Sequence, residues 1–149
     1  MSWNVLIVDD HEVARVGVSW LLNSPPFNVS GSVPTAAEAL ECLEEKSIDL
    51  VLLDIRLSDG SGLKLLEQIR KLHADIPVVV FSAYENPTYI ARAAALGAAD
   101  YLLKSVPSKT LLDTLQHIAT GRAADPESLL CLIQKTMQET VDVRMLPSD

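Results

Sequence analysis

The hydrophobic residues of this chain follow two patterns that alternate along it. Short continuous apolar runs predict β-strands covered on both faces, because such strands have no solvent-facing side that would require polar residues. These runs are Val5–Val8, Leu50–Leu53, Val78–Phe81 and Tyr101–Leu103. Residues 27–33 instead alternate apolar and polar side chains, which predicts a more exposed strand at an edge of the sheet.

Between these strands, apolar residues recur at the i, i+3, i+4, i+7 spacing of amphipathic helices. Five segments with this spacing each follow one strand, and they begin near Ala14, Ala36, Gly62, Ile90 and Leu111. Right-handed crossovers place the helices on both faces of a parallel sheet. The order therefore predicts an α/β fold built on a doubly wound, five-stranded parallel sheet.

The pattern changes after Gly121. Asp125 is a candidate helix cap and Pro126 a candidate first helical residue, so an extra C-terminal helix is predicted. Its apolar stripe consists of Leu130, Ile133, Met137 and Val141. Such a stripe needs a covering surface, which the same domain, a second copy or a domain outside this chain could provide. We divide the chain into a domain at 1–122 and a linker helix and tail at 123–149.

Composition narrows the class of protein. The 149 residues are 48% hydrophobic and 21% charged, as expected for one soluble globular domain. The net charge of -8 disfavours direct contact with nucleic acid or anionic lipid. The start of the chain does not resemble a signal peptide, and no apolar run reaches the ~20 residues of a membrane span. Cys42 and Cys131 lack metal or disulfide spacing. We therefore expect a cytoplasmic protein without membrane contact.

Polar side chains stand where the predicted strands end. Asp9 and Asp10 follow the first strand and Asp54 follows the third, while Ser82 and Lys104 come at the ends of the fourth and fifth. Ligands of open α/β sheets bind beyond these carboxyl ends. If the first and third strands are neighbours, the three carboxylates converge on one pocket.

Three clustered carboxylates need a cation, since two of them ~4 Å apart repel by ~4 kcal/mol at an effective dielectric constant of ~20. Oxygen ligands alone suit a hard ion such as Mg²⁺. Lys104 would add a mobile positive charge and Ser82 a hydroxyl donor. Together these groups indicate a phosphoryl-transfer site in which Asp54 becomes an acyl phosphate.

Four stretches then identify a family. They are "VLIVDDHEVAR", "DLVLLDIRLSDGSG", "VVVFSAYE" and "GAADYLLKS". In this order they make residues 3–122 resemble the receiver domain of two-component response regulators. The resemblance implies a CheY-like, flavodoxin-like fold with strand order 2-1-3-4-5, a Mg²⁺ requirement and phosphoryl transfer from the phosphohistidine of a sensor histidine kinase. Such a domain is a phosphoacceptor switch that catalyses only its own phosphorylation and dephosphorylation.

The resemblance also implies roles for individual residues. Asp54 would be the phosphoacceptor, Asp10 and Asp54 would bind the metal directly, and Asp9 would act mainly through water. Arg56 would contribute its backbone carbonyl to the metal. Lys104 would take part in catalysis.

Further positions follow from the same resemblance. Ser82, also a catalytic position, and Tyr101 match the family's switch pair, in which the hydroxyl moves toward the phosphoryl group and the ring turns inward. Tyr84 and Arg56 resemble its rate-tuning positions. For His11 we expect a non-catalytic loop role.

The stretch "HEVARVGVSWLLN" resembles the NarL/FixJ branch, of the LuxR type, as does Ser105 after Lys104 where many receivers have proline. We expect a trans bond before Ser105, because a cis bond to a non-proline residue costs ~3 kcal/mol or more. The branch implies transcriptional output, homodimers formed through a helical face, and DNA binding through a C-terminal helix-turn-helix domain absent from these 149 residues.

Two alternatives stay open. The first is a stand-alone receiver or adaptor that does not bind DNA. The second is a phosphatase of the haloacid-dehalogenase type, which also forms an aspartyl phosphate. That enzyme class needs a second acid two residues after the nucleophile, where this chain has Arg56. The phosphatase is therefore the weaker alternative.

Overall fold

A computed structural model of the chain describes residues 2–122 and 128–144, with side chains described up to residue 136 in the last helix. The strands in these residues are β1 (Trp3–Val8), β2 (Phe27–Val33), β3 (Leu50–Leu53), β4 (Arg56–Leu57), β5 (Gly60–Ser61), β6 (Val78–Ser82) and β7 (Asp100–Leu103). The helices are α1 (Glu12–Leu22), α2 (Ala36–Glu45), α3 (Gly62–Leu72), α4 (Pro87–Ala95), α5 (Ser108–Ala119) and α6 (Leu129–Arg144). Within these described ranges, no helix is both long and apolar enough to cross a bilayer.

Five strands form the central sheet in the order β2-β1-β3-β6-β7, and all neighbours are parallel. Counting only these five strands along the chain, the order is 2-1-3-4-5, so the predicted fold is confirmed. β2 lies at an edge and is partly exposed, as its alternation predicted. β3 and β6 are buried throughout, which explains their continuous apolar sequences.

Helices cover both faces of the sheet and form two apolar layers. The larger layer joins α2, α3 and α4 to one face, with Leu66, Ile69 and Ile90 at its centre. The smaller layer joins α1 and α5 to the other face through Leu22 and Leu115. Because β3 and β6 are enclosed between these layers, polar side chains are confined to their ends.

The C-terminal helix α6 packs against α4 and β7 of the same chain. Leu130 is buried, and Leu129 and Ile133 contact the larger apolar layer. The first part of the predicted apolar stripe is therefore covered by this chain itself, and a second copy or another domain is not needed there. The predicted start at Asp125 and Pro126, and the side chains of residues 137–141, lie outside the described residues.

The segment after β3 forms a short antiparallel hairpin from β4 and β5. The Asp59 carboxylate links this hairpin to α2 by accepting the N–H groups of Ala36 and Ala37, at 2.9 and 3.2 Å. The N–H of Gly62 donates to the carbonyl of Ile55 at 2.5 Å. A Cβ atom at Gly62 would collide with the backbone of residues 54 and 55, so glycine is required at this position.

Candidate functional site

The adjacency of β1 and β3 brings their acidic ends together. The N–H of Asp54 donates to the carbonyl of Val8 at 2.9 Å, which aligns the two strand ends. Asp9 and Asp54 are each only 5% exposed, and Asp10 lies at the rim. One ligand atom from each of these residues and from His11 lies within 4.8 Å of the others. The predicted convergence of the three carboxylates is present in the structure.

Lys104 reaches the same place from the end of β7. Its Nζ atom donates to Oδ2 of Asp9 at 2.6 Å and to Oδ2 of Asp54 at 3.0 Å. Its backbone N–H donates to the carbonyl of Ser82 at 2.8 Å, which links the ends of β6 and β7. We call the group of Asp9, Asp10, His11, Asp54 and Lys104 the acidic pocket.

Burial and hydrogen bonding shift the pKa values of the two carboxyl groups that contact Lys104 in opposite directions. Burial raises the pKa of Asp54, and the hydrogen bond from Lys104 offsets this only in part. Burial would also raise the pKa of Asp9, but hydrogen bonds from Lys104 and from the backbone of His11 outweigh it and lower that pKa. For Lys104, burial opposes the charge, yet hydrogen bonds to Asp9 and Asp54 raise its pKa. Lys104 therefore stays an ammonium group, one cation among three acids.

The free oxygen atoms of the pocket fit a hard divalent cation. Oδ1 of Asp10 is buried and accepts no hydrogen bond from any residue that the structure describes. In Asp9, Oδ1 accepts the N–H of His11 at 2.9 Å and Oδ2 accepts from Lys104. Asp10 therefore has an oxygen available for direct binding, whereas both oxygens of Asp9 already accept hydrogen bonds, and the water-mediated role of Asp9 stays a prediction. The metal-binding role of the Arg56 carbonyl stays a prediction.

Ser82 and Tyr101 occupy the neighbouring strands β6 and β7 and are both fully buried. Oγ of Ser82 accepts the N–H of Tyr84 at 3.1 Å. The Tyr101 hydroxyl donates to the carbonyl of Tyr84 at 2.6 Å. Burial raises the pKa of Tyr101, so its phenol stays protonated and able to donate. The ring is turned inward in this structure, and the switch role of the pair stays a prediction.

Arg56 and two tyrosines form a stack at the rim of the pocket. The Arg56 guanidinium carbon lies 4.1 Å from the centre of the Tyr84 ring. Tyr84 in turn meets Tyr89 of α4 edge to face, with ring centres 6.4 Å apart. The two positions expected to tune phosphoryl lifetime are thus in contact with each other and with α4. The bond between Lys104 and Ser105 is trans, as predicted.

Two contacts of the pocket do not follow from the predicted roles of its residues. Nδ1 of His11 lies 3.0 Å from Oδ1 of Asp10 and 3.2 Å from Oδ1 of Asp9, so its ring belongs to the pocket. Nη1 of Arg15 donates to the backbone carbonyl of Asp9 at 2.6 Å. The position of His11, directly after the acidic pair and at the N-cap of α1, was the available signal. Nothing in the sequence singles out Arg15.

Comparison with known proteins agrees with this geometry. The response regulator receiver domain family matches residues 5–116. The transcriptional regulatory protein YdfI of Bacillus subtilis is 30% identical over 136 residues, which cover 91% of this chain and 63% of YdfI. The nitrate/nitrite response regulator NarL of Escherichia coli K12 is 30% identical over 135 residues, which cover 90% of this chain and 62% of NarL. The chain thus spans a little under two thirds of the length of these relatives.

Solved structures give the same result. A two-component response regulator of the LuxR family from Aurantimonas superposes with a TM-score of 0.81 at 25% identity, covering 95% of this chain and 99% of that one. The receiver domain of the putative response regulator NarL from Mycobacterium tuberculosis gives 0.76 at 30% identity, covering 81% and 98%. These domains are signalling switches rather than conventional enzymes. The chain belongs to the response regulator receiver family, and its relatives are regulators of the NarL/LuxR type.

Proposed function

We propose that this protein is a phosphorylation-controlled switch in which Asp54 accepts a phosphoryl group from a sensor histidine kinase. One observation carries the proposal: the buried Asp54 carboxylate lies 3.0 Å from Lys104 and beside Asp9 and Asp10 at the end of β3. A carboxylate oxygen forms the new bond to phosphorus as the bond to the donor imidazole breaks. The product is an aspartyl phosphate.

The residues around Asp54 have separate tasks in this reaction. A Mg²⁺ ion bound by Asp10, Asp54 and the Arg56 carbonyl, with Asp9 acting through water, would neutralise charge on the phosphoryl oxygens. Lys104 already contacts Asp54 and can transfer that one hydrogen bond to the incoming phosphoryl group. Because Asp9 stays paired with Lys104, the lysine is held at the pocket throughout.

The signal passes from the pocket to the face formed by α4 and β7. Ser82 lies at the end of β6, and Tyr101 on β7 is bonded through its hydroxyl to the backbone of Tyr84. If Ser82 turns toward the phosphoryl group, its bond to the Tyr84 N–H is lost and this loop is free to move. α6 packs on α4 and β7, so a change there would reach the C-terminal helix.

An exposed apolar stripe on α1 supports a protein as the phosphoryl donor. Val13, Val16 and Trp20 lie on one face of the helix and are 86%, 60% and 88% exposed. The helix begins next to His11, so the stripe leads directly to the acidic pocket. Exposed apolar patches of this kind favour protein contacts. A kinase helix lying there would bring its phosphohistidine to Asp54.

For the output, we propose transcription control through a helix-turn-helix domain that follows the receiver domain at 1–122 and the linker at 123–149. The name of YdfI, a transcriptional regulatory protein, and the more than one third of its length that lies outside the match support this proposal. DNA would be contacted only by that domain, with the receiver free to form homodimers in the cytoplasm. An open reading frame without such a domain would favour the stand-alone adaptor.

A phosphate-affinity gel with acetyl phosphate tests the phosphoacceptor. With Mg²⁺ the wild type should give one retarded band, and Asp54→Asn should give none. Asp59→Asn is the matched control, because Asp59 is an acid of the adjacent hairpin that binds α2 rather than the pocket. A wild-type band that does not shift, or an Asp54→Asn band that does, would refute the proposal.

A second experiment tests the kinase surface. Trp20→Ser should slow labelling by a cognate kinase at least about tenfold and leave labelling by acetyl phosphate unchanged, because the small donor needs no docking surface. Leu72→Ser on α3 is the control, since Leu72 is also exposed, at 63%. Equal kinase rates for Trp20→Ser and wild type would exclude the α1 stripe as the docking surface.

A further inference from the structure

The imidazole of His11 adds a nitrogen atom to a pocket otherwise lined by oxygen. Its Nδ1 atom lies 3.0 Å from Oδ1 of Asp10, 3.2 Å from Oδ1 of Asp9 and 4.0 Å from Oδ2 of Asp54. Bonds from Zn²⁺ to nitrogen or carboxylate oxygen are about 2.0–2.2 Å, so the ligand atoms of a tetrahedral zinc ion are about 3.3–3.6 Å apart. The distances from Nδ1 to the carboxylate oxygens, 3.0, 3.2 and 4.0 Å, lie around this value.

The atoms nearest His11 also differ in their availability. Both oxygens of Asp9 already accept hydrogen bonds, from Lys104 and from the His11 backbone. Oδ1 of Asp10 is buried and accepts none from the described residues, although Nδ1 lies 3.0 Å away. From the residues that the structure describes, Oδ1 of Asp54 receives only a long bond of 3.4 Å, donated by the Arg56 N–H. The free ligand atoms are therefore Oδ1 of Asp10, which lies 3.0 Å from Nδ1, and Oδ1 of Asp54. The Asp54 oxygen that lies 4.0 Å from Nδ1 is Oδ2, which accepts from Lys104.

This set of atoms has a different metal preference from carboxylates alone. Carboxylate oxygen suits Mg²⁺ and Mn²⁺, whereas imidazole nitrogen suits Zn²⁺, Ni²⁺ and Cu²⁺. Nδ1 lies within hydrogen-bond distance of Oδ1 of Asp9, at 3.2 Å, and can donate to it when it carries the proton. The other neutral tautomer, with its proton on Nε2, presents the Nδ1 lone pair to a cation. The His11 side chain is 69% exposed, so water can reach Nε2 while Nδ1 binds a metal ion.

We propose that His11 is a metal ligand of the acidic pocket, and that Nδ1 together with Asp10 and Asp54 binds a borderline divalent ion such as Zn²⁺ or Ni²⁺. The inference rests on the proposed function in that the pocket is a cation site. Because such an ion shares Asp54 with Mg²⁺, the two ions exclude one another. The pocket thus senses which divalent ion is present as well as the kinase signal.

The test uses the full chain after removal of metals with a chelator. Zn²⁺ and Mg²⁺ are titrated separately by calorimetry, and imidazole ¹⁵N resonances are recorded with each ion. Zn²⁺ should shift the Nδ1 resonance of His11, and Mg²⁺ should leave it unchanged. His11→Asn should weaken Zn²⁺ binding at least about tenfold, since even partners outside the ligand shell contribute 10- to 100-fold. Its Mg²⁺ affinity should stay within about threefold.

The matched control is His73→Asn, because His73 lies at the C-cap of α3 and is not one of the residues of the pocket. Its Nε2 atom lies 3.4 Å from Oε1 of Glu44. This variant should bind Zn²⁺ as the wild type does. Retained Mg²⁺ binding by His11→Asn shows that this variant is folded. Zn²⁺ affinity that is independent of His11, or that is lost in His73→Asn, overturns the inference.

Asp54→Asn separates this inference from the proposed function. If Mg²⁺ binding needs Asp54 but Zn²⁺ binding does not need His11, only the role of His11 is wrong. If neither ion depends on Asp54, the pocket is not the cation site and both proposals fail. Both proposals are supported if Asp54→Asn loses the binding of both ions and His11→Asn loses the binding of Zn²⁺ alone.

Discussion

The apolar layers and the acidic pocket are built on the same strands but differ in what burial does. In β3, Leu50–Leu53 are buried, and each side chain stabilises the fold by roughly 25 cal/mol per Å² of apolar surface. One residue later Asp54 is just as buried, and there burial opposes the charged form of the side chain. Stability and chemistry are therefore separated along a single strand.

In the pocket, a single lysine compensates part of the negative charge of the carboxylates. Lys104 pairs with Asp9 and Asp54, while backbone N–H groups and Arg15 hold the Asp9 segment. Hydrogen bonds to charged groups are among the stronger ones, yet each charge would be costly without its partner. The layers below supply the stability that this arrangement requires.

The largest effect on stability is expected in the larger apolar layer. Ile69 of α3 is fully buried, so Ile69→Ala removes apolar contacts and leaves a cavity. The free energy of unfolding should fall by about 2–5 kcal/mol, measured by urea denaturation. Labelling at Asp54 should persist under conditions where the variant is folded. A loss of labelling in folded Ile69→Ala would show that layer and pocket are not separable.

Mg²⁺ should stabilise the pocket and hence the fold. At a free concentration one hundred times its dissociation constant, an ion that binds only the native state raises the free energy of unfolding by about 2.7 kcal/mol. The increase is measured by urea denaturation with and without Mg²⁺. Asp54→Asn should show little of it, because one ligand of the ion is missing. Equal stabilisation of both proteins would place the ion elsewhere.

Without metal, Asp54→Asn should stabilise the protein by about 0.5–2 kcal/mol at pH 7, as substitutions that relieve unfavourable functional groups commonly do. Burial raises the pKa of Asp54, so the folded state binds its proton more tightly than the unfolded chain. The ionised Asp54 carboxylate therefore destabilises the folded state fully above its folded-state pKa. This destabilisation disappears as the pH falls toward the unfolded-state pKa of about 3.9.

The measurement is urea denaturation of both proteins at several pH values in the presence of a chelator. The advantage of Asp54→Asn should shrink as the pH is lowered. Asp59→Asn provides the contrast, because backbone hydrogen bonds from α2, that of Ala36 first, lower the pKa of this exposed acid. The stability that Asp59 contributes is present above its unfolded pKa and is lost at acid pH, so this substitution should not stabilise the protein at pH 7. An Asp54→Asn protein less stable than wild type at pH 7 would contradict the prediction.

The smallest effect is expected at the boundary between layer and pocket. Tyr101→Phe keeps the buried ring but removes the 2.6 Å hydrogen bond to the Tyr84 carbonyl. The free energy of unfolding should fall by about 0.5–1.5 kcal/mol, with an unchanged dependence on urea concentration. Labelling at Asp54 should continue. A loss above 3 kcal/mol would mean that the hydroxyl supports the fold well beyond this one bond.

Much of the fold and site was predictable because both follow from local patterns. Continuous apolar runs identified the four covered strands, and alternation identified the edge strand β2. Since the carboxyl ends of parallel strands share one edge, the residues after those runs were candidates for a common pocket. The neighbouring positions of β1 and β3 came from the family resemblance, and no apolar pattern alone would have specified them.

The remaining features depend on contacts between distant segments. The sequence marked the end of the chain as an amphipathic helix but left three surfaces to cover its stripe, and packing on α4 and β7 selects the chain's own domain for its first part. From the sequence, Asp59 is an ordinary turn residue. In the structure its carboxylate lies at the start of α2 and accepts from Ala37 and Ala36, which are 22 and 23 residues away in the chain.

By itself the sequence determined the alternating elements, the buried strands and the acids at their ends, because these depend on side-chain polarity and spacing alone. Only the tertiary structure decided that Gly62 must press against the backbone of Asp54 and that the His11 ring faces the carboxylates. Both depend on the paths by which chain segments approach one another, and hydrophobic periodicity carries no information about those paths.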